Sequence, residues 1–250
     1  MRYVNLLKNL SNWWLYLAVK FGLAARGPLL FKTRSGILIE VPRRLLQTFK
    51  EIFMDECYLR GMKFLLKEKP VVIDIGANAG FFSLFALSRL PGAKVCSYEP
   101  VPVNFRQLKR NLDLNYGINA VCFQKAVAGK AGTITLSWDA SDEFTTSATV
   151  FESEGKNFTT ITVPSVSLSD IFLENNLDRC DFLKMDCEGA EYDILYNCPS
   201  AVMARIYNMA MEIHGGQVAG QNIDSLEAYL RELGFSTRRR PVGMLYAWRG

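Results

Sequence analysis

The chain carries one histidine, His214, in 250 residues. Proton chemistry near neutral pH therefore falls to that side chain or to a group in a perturbed environment. Its six cysteines (Cys57, Cys96, Cys122, Cys180, Cys187 and Cys198) include no C-x-x-C pair, which argues against zinc-ribbon and thioredoxin-type sites. Thiols within apolar strand-like runs, such as Cys96 and Cys122, suit a reducing, cytoplasmic setting. Net charge is only +4, and Arg238-Arg239-Arg240 is the sole dense basic run, so no nucleic-acid partner is expected. The uncharged stretch between Lys8 and Lys20 is well short of the roughly 20 residues that cross a bilayer. There is no internal repeat and no low-complexity tract. A hydrophobic content of 49% supports a substantial core, and the length suits one α/β domain with additions.

What is present centres on Val71–Ser83, VVIDIGANAGFFS. An apolar run enters Asp74, then Gly76-Ala77-Asn78-Ala79-Gly80, then a helix-like apolar segment. This reads as a buried strand, a glycine turn and a helix start, a place where backbone N–H groups can meet a ligand closely. Two glycines also suit a plain βα turn. The dinucleotide fingerprint G-x-G-x-x-G is broken by Asn78, and no Walker lysine follows. The remaining pattern, D-x-G-x-N-x-G, is similar to the first motif of class I S-adenosylmethionine-dependent methyltransferases.

Two further clusters accompany it. Ala93–Tyr98 reads as the next strand, closed by Glu99, whose carboxylate can accept both hydroxyls of a ribose. Its distance from the glycine turn, about 20 residues, fits an acidic ribose binder at a second strand end. Asp181–Glu191, DFLKMDCEGAE, places Asp186 at a strand end with Glu188 and Glu191 around Gly189. Carboxylates this close repel unless Lys184 or a ligand compensates, although a solvated, acid-rich helix start explains them as well. His214 follows the strand Tyr207–Ile213 and precedes Gly215-Gly216, with Glu212 two residues earlier on the same side of the strand.

Together VIDIGANAGFFS, YEPVPVNFRQLKRN and FLKMDCEGAE resemble the FkbM-type methyltransferase family over roughly Tyr58 to Leu233. The resemblance implies an α/β fold: a doubly wound, mostly parallel seven-stranded sheet of the Rossmann-like methyltransferase class, ending in an antiparallel hairpin. It implies S-adenosyl-L-methionine as cofactor and a hydroxyl of a sugar or other small molecule as acceptor. On this reading Asp74, Gly76, Asn78, Gly80 and Glu99 serve the cofactor. His214 is the expected base, with Asp186 as its alternate, and Glu188, Glu191 and Glu212 bind substrate. No metal is assigned. Methylation of protein or nucleic acid, and a non-catalytic cofactor-binding or membrane-associated scaffold, are the rival functions. The scaffold has no use for a cluster of Asp186, Glu188, Glu191, Glu212 and His214.

Residues 1–57 read as an extension ahead of a methyltransferase domain spanning 58–250. Leu6, Leu7, Leu10, Trp13, Trp14, Leu17 and Phe21 fall on one face of a single predicted helix. That face either packs on the protein or rests on a membrane surface through residues 3–21. Leu29–Thr33 and Ile37–Val41 predict a hairpin, and helices are expected from about Arg43 to Phe53 and over Glu56–Lys67. Ala120–Ala126, Thr133–Trp138 and Thr159–Val166 predict strands, and Asp139–Asn157 a recognition loop. A helix over Leu168–Leu173, another over Ile223–Leu233 and a hairpin of Phe235–Arg239 with Met244–Trp248 complete the expectation.

Overall fold

The structure is a computed structural model, and it describes residues 2–24, 26–59, 68–139, 144, 158–216, 218–241 and 243–249. In chain order the first elements are helices α1 (Arg2–Asn9) and α2 (Trp14–Lys20) and strands β1 (Leu29–Lys32) and β2 (Leu38–Val41). A 3-10 turn (Arg43–Leu45) leads into α3 (Leu46–Phe53). Then come β3 (Val71–Ile75), α4 (Phe81–Arg89), β4 (Lys94–Tyr98), α5 (Pro102–Asp113) and β5 (Ala120–Phe123). Next are β6 (Ala126–Val127), β7 (Gly132–Asp139), β8 (Phe158–Val166), α6 (Leu168–Glu174) and β9 (Phe182–Met185). The chain closes with α7 (Glu191–Tyr196), α8 (Ser200–Met203), β10 (Asn208–Glu212), α9 (Ile223–Glu232), β11 (Ser236–Arg240) and β12 (Met244–Trp248).

A seven-stranded sheet runs β11-β12-β10-β9-β3-β4-β5. Strands β5, β4, β3, β9 and β10 are parallel, and β12 and β11 join antiparallel as the closing hairpin. This is the doubly wound α/β arrangement that the motifs implied. The near-continuous apolar character of β3, β4, β9 and β10 follows from burial on both faces by helices. Chain order reverses between β3 and β9, so the crevice at their carboxyl ends is the place where such a sheet holds ligands.

Two departures from expectation have physical causes. Residues 120–126 do not form one strand: β5 stays in the large sheet, while β6 leaves it to pair with β8, which also pairs with β7 in a separate three-stranded sheet. The N-terminal segment is not one helix. At Leu10–Asn12 the backbone and side chains bond the β1–β2 hairpin instead of the next turn, with Ser11 N donating to Lys32 O at 2.8 Å and Asn12 Nδ2 to Leu30 O at 2.9 Å. Residues 57–59 form a turn, and the rest of the helix expected over Glu56–Lys67 lies at 60–67, outside the described residues. The loop Asp139–Asn157 lies outside them too, apart from Asp139 and Phe144.

The N-terminal elements share a core with the sheet. Leu6, Leu10, Phe31, Phe49 and Phe53 are buried together with Phe81, Phe85 and Phe182. Phe49 is the centre of this contact: it stacks on Phe31 (4.5 Å between centroids) and Phe53 (4.8 Å) and meets Phe81 edge-on at 5.8 Å. Truncating such a ring leaves a cavity that rigid neighbours fill poorly. Phe49→Ala is expected to cost about 3–5 kcal/mol of unfolding free energy in urea denaturation. A loss below about 1 kcal/mol would mean that the extension is not seated on the sheet through this residue.

Candidate functional site

The glycine turn after β3 is held by buried polar contacts. Asp74 is wholly buried; its Oδ2 accepts from Ser83 Oγ at 2.6 Å and its Oδ1 lies 3.3 Å from Lys184 Nζ. Asp74 thus sits beneath the turn and does not face the cavity. Gly76 has φ +71°, and a Cβ there would stand 1.7 Å from the Asp186 carbonyl oxygen. The β3 and β9 ends meet too closely for any side chain. Asn78 takes φ 50°, a left-handed conformation that asparagine tolerates, and its side chain accepts from Ala79 N at 2.7 Å. Gly80 caps α4 at φ +82° and packs on Leu108 rather than on open space.

Glu99 closes β4 on the far side of the turn. Its two oxygens accept from Asn78 N at 2.8 Å and Val101 N at 2.9 Å. Burial pushes its pKa up to about 7, against the opposing pull of those backbone donors. Gly76, Ala77, Asn78 and Glu99 all line one cavity of about 690 Å³.

Beside the turn the lining of this cavity is acidic. Asp186, Glu188, Glu212 and His214 line it, at the ends of β9 and β10, with Tyr58 and α3 beside them. Tyr58 donates its hydroxyl to Asp186 Oδ2 at 2.9 Å. Lys184, within β9, is buried and donates to Gly76 O at 2.7 Å and Ile75 O at 3.2 Å, with Asp186 Oδ2 3.8 Å away. Burial opposes its charge, yet Asp74 and Asp186 outweigh it and hold the pKa above the ordinary lysine value.

His214 is held from both sides. Nδ1 lies 3.1 Å from Glu191 Oε1 and Nε2 3.6 Å from Glu188 Oε2. The hydrogen bond to Glu191, working against burial and helped by the neighbouring carboxylates, lifts its pKa to about 9. Glu191 is wholly buried and also accepts from Cys187 N, so it sits behind His214 and does not line the cavity. Glu188 is raised to about 7, first by burial and then by the nearby acids, with His214 pulling the other way. Burial and Asp186 raise Glu212 as well. One donor atom each from Asp186, Glu188 and His214 lies within 4.8 Å of the others, a spacing that a divalent cation can bridge.

The structure therefore gathers six expected residues around the cavity besides Gly76 and Asn78, if Glu191 is counted through His214: Glu99, Asp186, Glu188, Glu191, Glu212 and His214. Asp74 and Gly80 support the turn from behind. Tyr58 was not foreseen. It lies 128 residues from Asp186 in sequence, and no periodicity or motif connects the two. Thr48, Glu51 and Ile52 of α3 also line the cavity, a role that no motif in that helix signals.

The glycine turn, the Glu99 carboxylate and the acidic end of β9 thus line one cavity at the switch point of a doubly wound sheet. The sequence pattern of the methyltransferase FkbM domain matches residues 74–237, and the chain belongs to that methyltransferase family. It is 30% identical over 219 residues to the methyltransferase sdnD of Sordaria araneosa, covering 76% of this chain and 82% of that protein. It is 29% identical over 215 residues to the 31-O-demethyl-FK506 methyltransferase FkbM of Streptomyces tacrolimicus, covering 75% and 80%. Among solved structures, the precorrin-6y C5,15-methyltransferase of Geobacter metallireducens is similar with a TM-score of 0.43 and 14% identity, over 75% of this chain and 84% of that one.

Because His214 is the chain's only histidine, its ring protons give one unambiguous NMR titration in untagged protein. The midpoint is expected near pH 9, and Glu191→Gln should lower it towards the ordinary value of about 6.5. A raised folded-state pKa stabilises the fold fully below the unfolded value and loses that contribution as pH rises through about 9. The stability gap between wild type and His214→Gln should therefore be largest at pH 6 and shrink by pH 10. A wild-type midpoint near 6.5 would remove the Glu191 pairing.

Proposed function

We propose that the chain transfers a methyl group from S-adenosylmethionine to a hydroxyl oxygen of a small molecule or sugar. The observation that carries this reading is that two constellations line one cavity: the turn of Gly76–Asn78 with Glu99, and the cluster of Asp186, Glu188, Glu212 and His214. A scaffold that only bound cofactor would have no use for the second constellation. The name of the Streptomyces relative describes methylation at an oxygen, which supports the same acceptor chemistry here.

The residues present fit the cofactor. Gly76, Ala77 and Asn78 line the cavity with their N–H groups donated to Tyr98 O and Glu99, so the turn is held in shape, and Glu99 offers a buried carboxylate beside it. Gly76, Ala77 and Asn78 would hold the cofactor along the turn, and Glu99 its ribose hydroxyls. When bound, S-adenosylmethionine supplies a methyl group already activated by its sulfonium. The protein's share is orientation and removal of the acceptor proton. Glu191 fixes the His214 tautomer with its proton on Nδ1, leaving Nε2 towards the cavity as proton acceptor. Asp186, oriented by Tyr58 and Lys184, is the alternate base, and Glu188 and Glu212 bind the acceptor.

Glu99→Ala is expected to weaken S-adenosylmethionine binding at least about tenfold by calorimetric titration, from loss of charge-assisted hydrogen bonds. Unchanged affinity would remove Glu99 from the site. Acceptor screening by release of S-adenosylhomocysteine, over hydroxylated glycosides and macrolides, would then supply a substrate. With it, kcat/KM should climb with pH towards about 9, since only the neutral imidazole accepts a proton. His214→Gln should lower kcat by about 10²–10⁴-fold and abolish that limb. Turnover close to wild type with the same profile would transfer the role to Asp186.

A further inference from the structure

The N-terminal elements carry an unusual combination of charge and exposed apolar surface. Residues 1–57 hold nine lysines and arginines against Glu40, Glu51, Asp55 and Glu56, a net of +5. The other 193 residues hold 20 against 21, a net of −1. Twelve large apolar side chains stand exposed among the described residues, and seven of them fall between Tyr3 and Leu30. A chain of this net charge has no general need for such segregation.

The exposed residues are gathered by the fold. Trp14 and Phe21 are seven residues apart and fall on one side of α2, opposite the buried Tyr16. They are 58% and 69% exposed, and Leu23 beyond them is 80% exposed. Lys20 at the end of α2 donates to the Tyr3 hydroxyl at 2.8 Å, which brings that end beside the first turn of α1 and the exposed Val4 and Leu7. Lys8, Lys20 and Arg26 are exposed among them. Leu6 and Leu10, part of the apolar face in the single-helix reading, are instead buried in the core. The helices are thus anchored by one set of side chains and present another outward.

We propose that this face docks on an anionic lipid bilayer. Aromatic and aliphatic side chains bordered by lysine and arginine match the headgroup boundary, where apolar groups enter the acyl edge and cations meet anionic headgroups. An apolar protein partner would not account for the excess positive charge, and an acidic protein or nucleic acid would not account for exposed Trp14, Phe21 and Leu23. No described helix is long and apolar enough to cross the membrane, so the attachment is peripheral.

The test is sedimentation of the full chain with vesicles, and it does not depend on methyl transfer. Vesicles of phosphatidylcholine alone are compared with vesicles containing about a third phosphatidylglycerol. The chain should pellet with the anionic vesicles at low salt, release as salt rises, and stay in solution with neutral ones. The Trp14→Ser, Phe21→Ser, Leu23→Ser triple variant should partition about tenfold more weakly with an unchanged melting temperature. If that variant loses its melting transition, Lys8→Glu, Lys20→Glu, Arg26→Glu takes its place, with release from anionic vesicles expected. Equal pelleting with both lipids, or retention of binding by the folded variant, would overturn the proposal. So would a vesicle-free dimer that the triple substitution disperses, since the face would then belong to a second copy.

Discussion

The buried ammonium of Lys184 is the interaction on which the rest of the site depends. It lies inside the sheet, on β9, and reaches the carbonyls of Ile75 and Gly76, the carboxylate of Asp74 and that of Asp186. Desolvating Lys184 and Asp74 is costly, and removing the lysine would leave the wholly buried Asp74 carboxylate without an opposite charge; Asp186, 30% exposed, is the outer member of the group. The arrangement stands because each charge has an opposite partner and the ammonium also donates to the backbone oxygens of Ile75 and Gly76 at the strand end. It joins the end of β3 to the end of β9, the two strands between which chain order reverses. Tyr58 donates to the same Asp186 oxygen that lies near the ammonium. This knot joins the glycine turn after β3 to the acidic residues that follow β9.

Electrostatics divide the acidic lining of the cavity into distinct roles. Asp186 has a lysine and a tyrosine as neighbours. Glu188 and Glu212 have mostly burial and other acids, and their affinity for protons rises accordingly. His214 takes the opposite course, since a buried carboxylate behind it favours its charged form. Side chains of similar chemistry thus hold their protons differently within one cavity, which is how a site comes to have an acceptor and a set of orienting groups.

Much of this was legible in the chain because the relevant signals are local. Val71–Ser83 shows a buried strand, a turn requiring positive φ and a helix start in thirteen consecutive residues. Glu99 and Asp186 end apolar runs, and a parallel sheet brings such ends to one edge. What escaped notice depended on long-range pairing. Tyr58 belongs to no motif, and its partner is 128 residues away. The break between α1 and α2 is absent from the 3.6-residue pattern because bonds to Leu30 and Lys32 impose it. The departure of β6 from the large sheet is likewise set by its partner β8, not by its own two residues. Glu191 could be seen to lie near the site, but only the folded chain shows that it serves His214 from behind.

Helix α3 has two working sides in eight residues. On one, Phe49 and Phe53 take the rings of the core, and the carbonyls of Phe53 and Met54 accept from Asn9 and Asn5 of α1. On the other, Thr48, Glu51 and Ile52 form part of the cavity wall. The outer layer and the chamber are therefore separated by a single thickness of helix, with no linker to absorb movement. A force applied at α1 is borne by the chamber wall itself, so the size of the chamber and the seating of the N-terminal helices are one mechanical variable.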